Sequence, residues 1–197
     1  MRTCRRDATR VRVRVTPRRV SRAARSVSLL LLPTAHPMHA RAVIFLDVDG
    51  VLHPAEPTPS RLFDSACMQR LRMIAAAAEA DIVLSSTWRC TQLGCDAVRQ
   101  QLQLAGVRSQ FLGATVRYGL SEREDEIFEW LARHPGVDSF VVLDDEEVFE
   151  APVLAAKHHV QTDEAFGLVA ADVLRAIEAL RRPLARESLP EGRRASR

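Results

Sequence analysis

Residues 43–52 read VIFLDVDGVL, an apolar run that breaks into two aspartates one residue apart and then a glycine. Four consecutive apolar residues, Val43 to Leu46, bounded by a turn signal leave no side for water, which is the pattern of a strand buried on both faces. Asp47 then falls at the carboxyl end of that strand. In an open α/β sheet ligands bind in the crevice outside the carboxyl ends of the strands, so a carboxylate there is displayed toward a ligand. Gly50 allows the tight reversal that follows.

Working outward, strand and helix signals alternate. A Pro-rich loop, HPAEPTPSR, leads into Ser65–Ala80, whose apolar and small residues suit a helix. Asp81 to Leu84 form a second apolar burst ending in Ser85, Ser86 and Thr87, and Thr91–Ala105 reads as another helix. Phe111–Val116 reads as a short peripheral strand. Ser121 and Glu124 have capping-box spacing, and Ile127, Trp130 and Leu131 form a stripe at helical spacing, which predicts a helix from about Ser121. Phe140 to Leu143 are another buried-type strand ending in Asp144 and Asp145, followed by a strand at His158–Gln161 and a helix over about Leu168–Leu180. This alternation implies a three-layer, Rossmann-like parallel sheet with helices on both faces.

The length of 197 residues, 47% of them hydrophobic, suits one domain with a substantial core. The net charge of +3 invites a nucleic-acid reading, but its distribution opposes one. Residues 1–37 hold ten arginines against one acid, a local +9, so the remainder holds 18 bases against 24 acids, or −6. The basic excess thus belongs to the leader, which lacks apolar periodicity and is expected to be disordered. Its apolar burst, Val27 to Leu32, is far too short to span a bilayer, and no clean small-residue cleavage site follows. Met38 is the expected true start, with the domain over 38–182 and a disordered tail over 183–197. Cys4, Cys67, Cys90 and Cys95 include no C-x-x-C pair, which fits reduced thiols in the cytoplasm and no membrane association.

Asp47/Asp49, Ser85 and Asp144/Asp145 all fall at the carboxyl ends of expected strands, and in a parallel sheet those ends converge on one edge. Four carboxylates crowded there repel one another unless a cation is present. A hard, oxygen-ligated ion such as Mg²⁺ resolves that repulsion and also binds a phosphate oxygen.

On these residues the chain resembles the haloacid dehalogenase-like (HAD) superfamily over about residues 41–180. DVDGV at Asp47–Val51 matches its first motif, LSS at Leu84–Ser86 the second and LDD at Leu143–Asp145 the fourth. The combination of LDVDGVLHP, VLSSTWR, an arginine at a helix start before EI, and VVLDD looks most like the HAD domain of the Swiss Army Knife RNA repair proteins, which carry it beside other repair modules. The resemblance implies a Mg²⁺-dependent phosphatase working through an aspartyl-phosphate. Asp47 would be the nucleophile and Asp49 the general acid and base. Asp47, the Asp49 backbone carbonyl and Asp144 would hold Mg²⁺, with Asp145 as a direct or water-mediated partner. Ser85 fits the phosphate-binding position, with Ser86 beside it. An aspartate at the second position favours a phosphatase or phosphotransferase over the family's dehalogenases and ion pumps.

The family's third motif is normally a lysine, and here the sequence departs from it. The sole lysine, Lys157, lies after the fourth motif, whereas Arg123 in SEREDEI sits at the start of the helix before the LDD strand. Arg123 is assigned the charge-neutralising role; Arg89 in STWR competes for it, with a grip on a second part of the substrate as its other reading.

Blander readings stand beside these. Ser85 and Ser86 suit a helix cap, a role compatible with phosphate binding because both use free N–H groups. Glu146, Glu147 and Glu150 read as a solvated face, Trp88 as packing, His53 as an ordinary loop residue, and His158 and His159 lack a ligand partner. About thirty residues separate the first motif from the second, and a similar number separate Ser85 from Arg123, so neither interval holds a large cap domain. An open site suits a nucleotide, a phosphorylated nucleic-acid end or a phosphoprotein. The acidic core lacks the usual attraction for nucleic acid, for which the tail arginines, among them Arg181, Arg182, Arg186, Arg193, Arg194 and Arg197, would compensate. The alternatives from other classes are a receiver-like signalling domain, which would carry its nucleophile on a middle strand, and an inert phosphate-binding module.

Overall fold

The computed structural model describes residues 41–117 and 121–186. The expectations for the leader, for Met38 as the start and for the tail from residue 187 lie outside the described residues. Five strands, β1 (Arg41–Leu46), β2 (Asp81–Leu84), β3 (Phe111–Ala114), β4 (Val137–Asp144) and β5 (His159–Gln161), form one sheet in the order β3-β2-β1-β4-β5. Every pairing is parallel. The helices are α1 (Ser65–Ala78), α2 (Gln92–Leu104), α3 (Arg123–Arg133), α4 (Pro152–His158) and α5 (Ala170–Leu180).

The apolar run that opened the reading is the central strand, and its alternate side chains feed two cores. Ala42, Ile44 and Leu46 pack with residues of α1, α2 and α5, including Leu71, Val98 and Ala176. Val43 and Phe45 pack on the other face with Ile127, Trp130 and Leu131 of α3 and with Phe140 and Phe149. The Phe45 ring meets Trp130 and Phe140 edge-on, at centroid separations of 5.4 and 5.8 Å. Both faces of β1 are therefore dry, as a parallel strand covered by crossover helices requires. This is the three-layer α/β, Rossmann-like architecture expected from the sequence. The strand order reverses between β1 and β4, the place where such sheets open a ligand crevice. Among the described residues the connection from β1 to α1 holds only a 3-10 turn at Pro59–Arg61.

Several local expectations are corrected. α3 starts at Arg123 with Glu122 as N-cap, two residues after the expected start near Ser121, and Ser121 Oγ donates to Glu126 Oε1 at 3.0 Å. β3 stops at Ala114, short of Val116, and α4 was not anticipated. Residues 183–186, expected to belong to a disordered tail, are packed against the start of β4. The Leu184 amide donates to the Asp138 carbonyl at 2.7 Å, and the Arg186 guanidinium donates to the carbonyls of Pro135 and Val137 at 2.9 and 2.8 Å. These hydrogen bonds tie residues 183–186 to the domain and explain its longer extent.

Two adjacent histidines make folding pH-dependent. His158 is buried, stacks on Phe140 with centroids 4.3 Å apart, and shares a 3.1 Å hydrogen bond between Nδ1 and the Phe140 carbonyl. Burial lowers its pKa from 6.5, and burial pushes His159 down to about 4. Between those values the unfolded chain binds more protons than the folded one, so their contribution to stability is complete above about pH 6.5 and is lost as pH falls toward 4. Thermal unfolding across that window is expected to show a shallower decline in His158→Gln/His159→Gln than in the wild type; equal slopes would contradict this.

Candidate active site

The sheet ladder continues one residue past each strand and so aligns a row of polar residues. The Asp47 amide donates to the Leu143 carbonyl at 2.9 Å, Ser85 to Leu46 at 2.8 Å, Thr115 to Leu84 at 2.9 Å and Thr162 to Asp144 at 2.9 Å. Buried strands end here because a carboxylate or hydroxyl is the first group along each that gains from facing the crevice. Asp47, Asp144 and Asp145 each bring an oxygen within 4.8 Å of the others. Asp47 and Asp144 are buried, whereas Asp145 is partly exposed.

Arg123, from the first turn of α3, reaches into this cluster. Its Nη1 pairs with Asp144 Oδ2 and stands 3.3 Å from Asp47 Oδ2, so one cation bridges the two buried carboxylates. Burial alone would lower the Arg123 pKa, but Asp144 and Asp47 outweigh it and push it above its ordinary value. Asp144 answers in the opposite sense: burial raises its pKa to about 7, with Asp47 adding repulsion, and Arg123 only partly offsets the rise. Burial likewise raises Asp145, helped by Asp47 and Glu146. One guanidinium does not neutralise three clustered carboxylates. The donor set is all oxygen, which suits a hard divalent ion, and Ser85 Oγ is buried without a hydrogen-bond partner at the same edge. The residues present thus fit Mg²⁺ and a phosphoryl oxygen.

Gly50 does more than reverse the chain. Its φ of +67° is left-handed, and a Cβ there would stand 2.3 Å from Asp145 Cγ and Oδ2. The missing side chain is what lets Asp145 close over the turn. Gly50→Ala is expected to cost about 1–2 kcal/mol from backbone strain alone, plus the displacement of Asp145. Denaturant unfolding measures it, and an unchanged midpoint would contradict it.

The remaining predicted site residues divide. Ser86 is buried as the cap of the turn Thr87–Cys90, its Oγ accepting from the Trp88 amide at 3.3 Å. Arg89 is turned away from Asp47 and Asp144: its Nη2 pairs with Glu126, and Nη1 donates to the Ser86 carbonyl at 2.7 Å. Arg123, not Arg89, reaches the cluster. Asp49 stands beside it, partly exposed, with Oδ2 accepting from Trp88 Nε1 at 2.9 Å. Trp88, read from sequence as packing, therefore touches the site, and buried His53 lies 3.7 Å from Asp49. The sequence reading also missed Thr115, Glu126 and Thr162. Thr115 terminates β3 as Ser85 terminates β2, and Glu126 shares a helix face with Trp130, signals that were available; Thr162 depends on contacts distant in sequence. Thr162 Oγ1 donates to the Gly50 carbonyl at 2.7 Å and ties the motif turn to the end of β5.

A family model described as the HAD domain in Swiss Army Knife RNA repair proteins matches residues 43–173. That interval runs from Val43, the third residue of β1, into α5 and contains every residue of the cluster. No curated protein and no solved structure matches the chain.

Proposed function

The chain belongs to the family of HAD domains found in Swiss Army Knife RNA repair proteins, a phosphatase-type hydrolase fold, and from that premise we propose that it is a Mg²⁺-dependent phosphatase acting through an aspartyl-phosphate on Asp47. The observation that carries the reading is the convergence of Asp47, Asp144 and Asp145 within 4.8 Å, bridged by Arg123.

In this reading an Asp47 carboxylate oxygen forms a bond to phosphorus in line with the departing ester oxygen. The P–O ester bond breaks, its electron pair goes to the leaving oxygen, and that oxygen takes the proton held by Asp49. The Asp49 carboxylate then accepts a proton from water as the water oxygen attacks phosphorus. The bond between phosphorus and Asp47 breaks, releasing phosphate and restoring the nucleophile. Arg123, 3.3 Å from Asp47 Oδ2, offsets charge on the nucleophile and on the transferring group. Ser85 Oγ, buried and without a hydrogen-bond partner, binds a phosphoryl oxygen. Mg²⁺, held by Asp47, Asp144 and the Asp49 carbonyl with Asp145 close by, would supply the charge compensation that Arg123 alone does not.

Among the described residues no cap domain covers this edge, which suits a substrate larger than a metabolite, and we propose a nucleotide or a phosphorylated nucleic-acid end. Cys67, Cys90 and Cys95 are free thiols, in keeping with a cytoplasmic setting. No helix among the described residues is long and apolar enough to cross a membrane. The test is phosphate release by the full chain from p-nitrophenyl phosphate, mononucleotides, 5′- and 3′-phosphorylated oligonucleotides and a phosphopeptide, each with Mg²⁺ and with chelator. Turnover that chelator abolishes and Mg²⁺ restores, greatest on a nucleotide or oligonucleotide end, is expected. No release from any ester would overturn the activity, and a preference for the phosphopeptide would overturn the substrate class.

A further inference from the structure

Asp49 is held by a device that the phosphatase chemistry, as derived above, does not account for. The Trp88 indole N–H donates to Asp49 Oδ2 at 2.9 Å. An indole nitrogen can only donate, so it fixes that oxygen as an acceptor. On the other side stands His53, fully buried, with Nε2 3.7 Å from Asp49 Oδ1 and without a hydrogen-bond partner. Its Nδ1 lies 2.9 Å from the Pro54 carbonyl, which can only accept, and this bond sets the plane of the ring.

A third ring locks the other two. Phe63 meets Trp88 edge-on with centroids 5.3 Å apart and meets His53 edge-on at 5.6 Å. Phe63 does so from a left-handed backbone, φ +52°, which a bulky residue seldom adopts. Trp88 is itself set by Ser86, whose hydroxyl caps the turn that carries the indole. A side chain as exposed as Asp49, at 41%, would otherwise sample several rotamers in solvent.

Resting on the phosphatase reading, we propose that Trp88, backed by Phe63 and His53, is a positioning residue that holds the Asp49 carboxyl in the orientation from which it protonates the leaving oxygen. Trp88 touches neither phosphorus nor nucleophile. Its effect passes through Asp49 and scales with how much the leaving group needs a proton. An alkyl oxygen needs one to depart, whereas a p-nitrophenolate departs readily without it.

The test compares kcat/KM for an alkyl phosphate and for p-nitrophenyl phosphate in wild type, Trp88→Phe, Asp49→Asn and the double variant, since kcat/KM reports steps through transfer to Asp47. Trp88→Phe keeps a ring against Phe63 and removes only the indole and its donor, and circular dichroism checks that it is folded. It is expected to lower kcat/KM on the alkyl ester by about tenfold or more, part of the ~10²–10⁴ that a positioned acid supplies, and by several-fold less on p-nitrophenyl phosphate. In the Asp49→Asn background it is expected to add no further loss. Equal losses on both esters, an added loss in the double variant, or a faster Trp88→Phe enzyme would overturn the positioning role. If Asp49→Asn itself shows no leaving-group dependence, the acid assignment in the phosphatase reading fails instead. A wild type inert on both esters removes both.

Discussion

Asp47→Asn is expected to lower kcat on any accepted phosphoester by on the order of 10³–10⁶, the scale seen when a covalent nucleophile is removed, without lowering the unfolding midpoint. The two halves of that result have one cause. Asp47 is buried beside Asp144, and Asp144 is pushed up to about 7 by burial with a contribution from Asp47. An amide at position 47 keeps the shape, removes the repulsion and leaves Arg123 paired with Asp144. The site therefore gives up stability to concentrate charge, and neutralising its nucleophile is expected to hold or raise the midpoint while activity disappears. Phosphate release and thermal unfolding of the same preparation measure both halves. A variant that is inactive because it has unfolded would contradict the account.

The second large effect lies behind the site. Glu126 is 2% exposed, one turn beyond Arg123 on α3, and gathers three elements. It pairs with Arg89 from the turn after β2, accepts from Thr115 Oγ1 at 3.3 Å beyond β3, and accepts from Ser121 Oγ at 3.0 Å ahead of α3. Glu126→Ala is expected to destabilise the fold by about 3–5 kcal/mol, because it leaves the Arg89 guanidinium buried without its counter-charge. Arg89→Met/Glu126→Leu, which removes both charges together, is expected to recover most of that loss. Its kcat/KM also separates the two readings of Arg89: retained activity makes the arginine a brace for α3, and loss of substrate affinity with intact stability would restore it as a substrate grip. Denaturant midpoints and kcat/KM on the two variants decide it.

The parts of this molecule that sequence makes legible are those in which one residue's surroundings are set by its neighbours along the chain. VIFL and VVL read as strands because both faces are dry, and Asp47, Ser85 and Asp144 read as site residues because each directly follows such a run. Arg123 is legible as a cation at the head of the helix leading into β4. What escapes is whatever depends on contacts across the fold. Trp88 reads as packing, and its ring does pack on Phe63; only the turn capped by Ser86 brings the indole N–H to Asp49, 39 positions away. Glu126 is lost in the acidic run REDE, although it shares a helix face with Trp130 four residues later, which signals burial. α4 is short, begins with proline and buries Leu154 and His158, too little pattern to stand out. The tail boundary moves because Arg186 hydrogen-bonds to carbonyls, contacts that charge alone does not suggest.

The central claim is that Asp47 carries the phosphoryl group between two displacements. Rapid acid quench of the enzyme turning over p-nitrophenyl phosphate with Mg²⁺, followed by peptide mass analysis, tests it most directly. The account predicts a peptide spanning Asp47 heavier by one HPO₃ group, absent in Asp47→Asn and formed more slowly in Arg123→Ala. Turnover at the wild-type rate in Asp47→Asn, or the phosphoryl group carried by a peptide lacking Asp47, would contradict it.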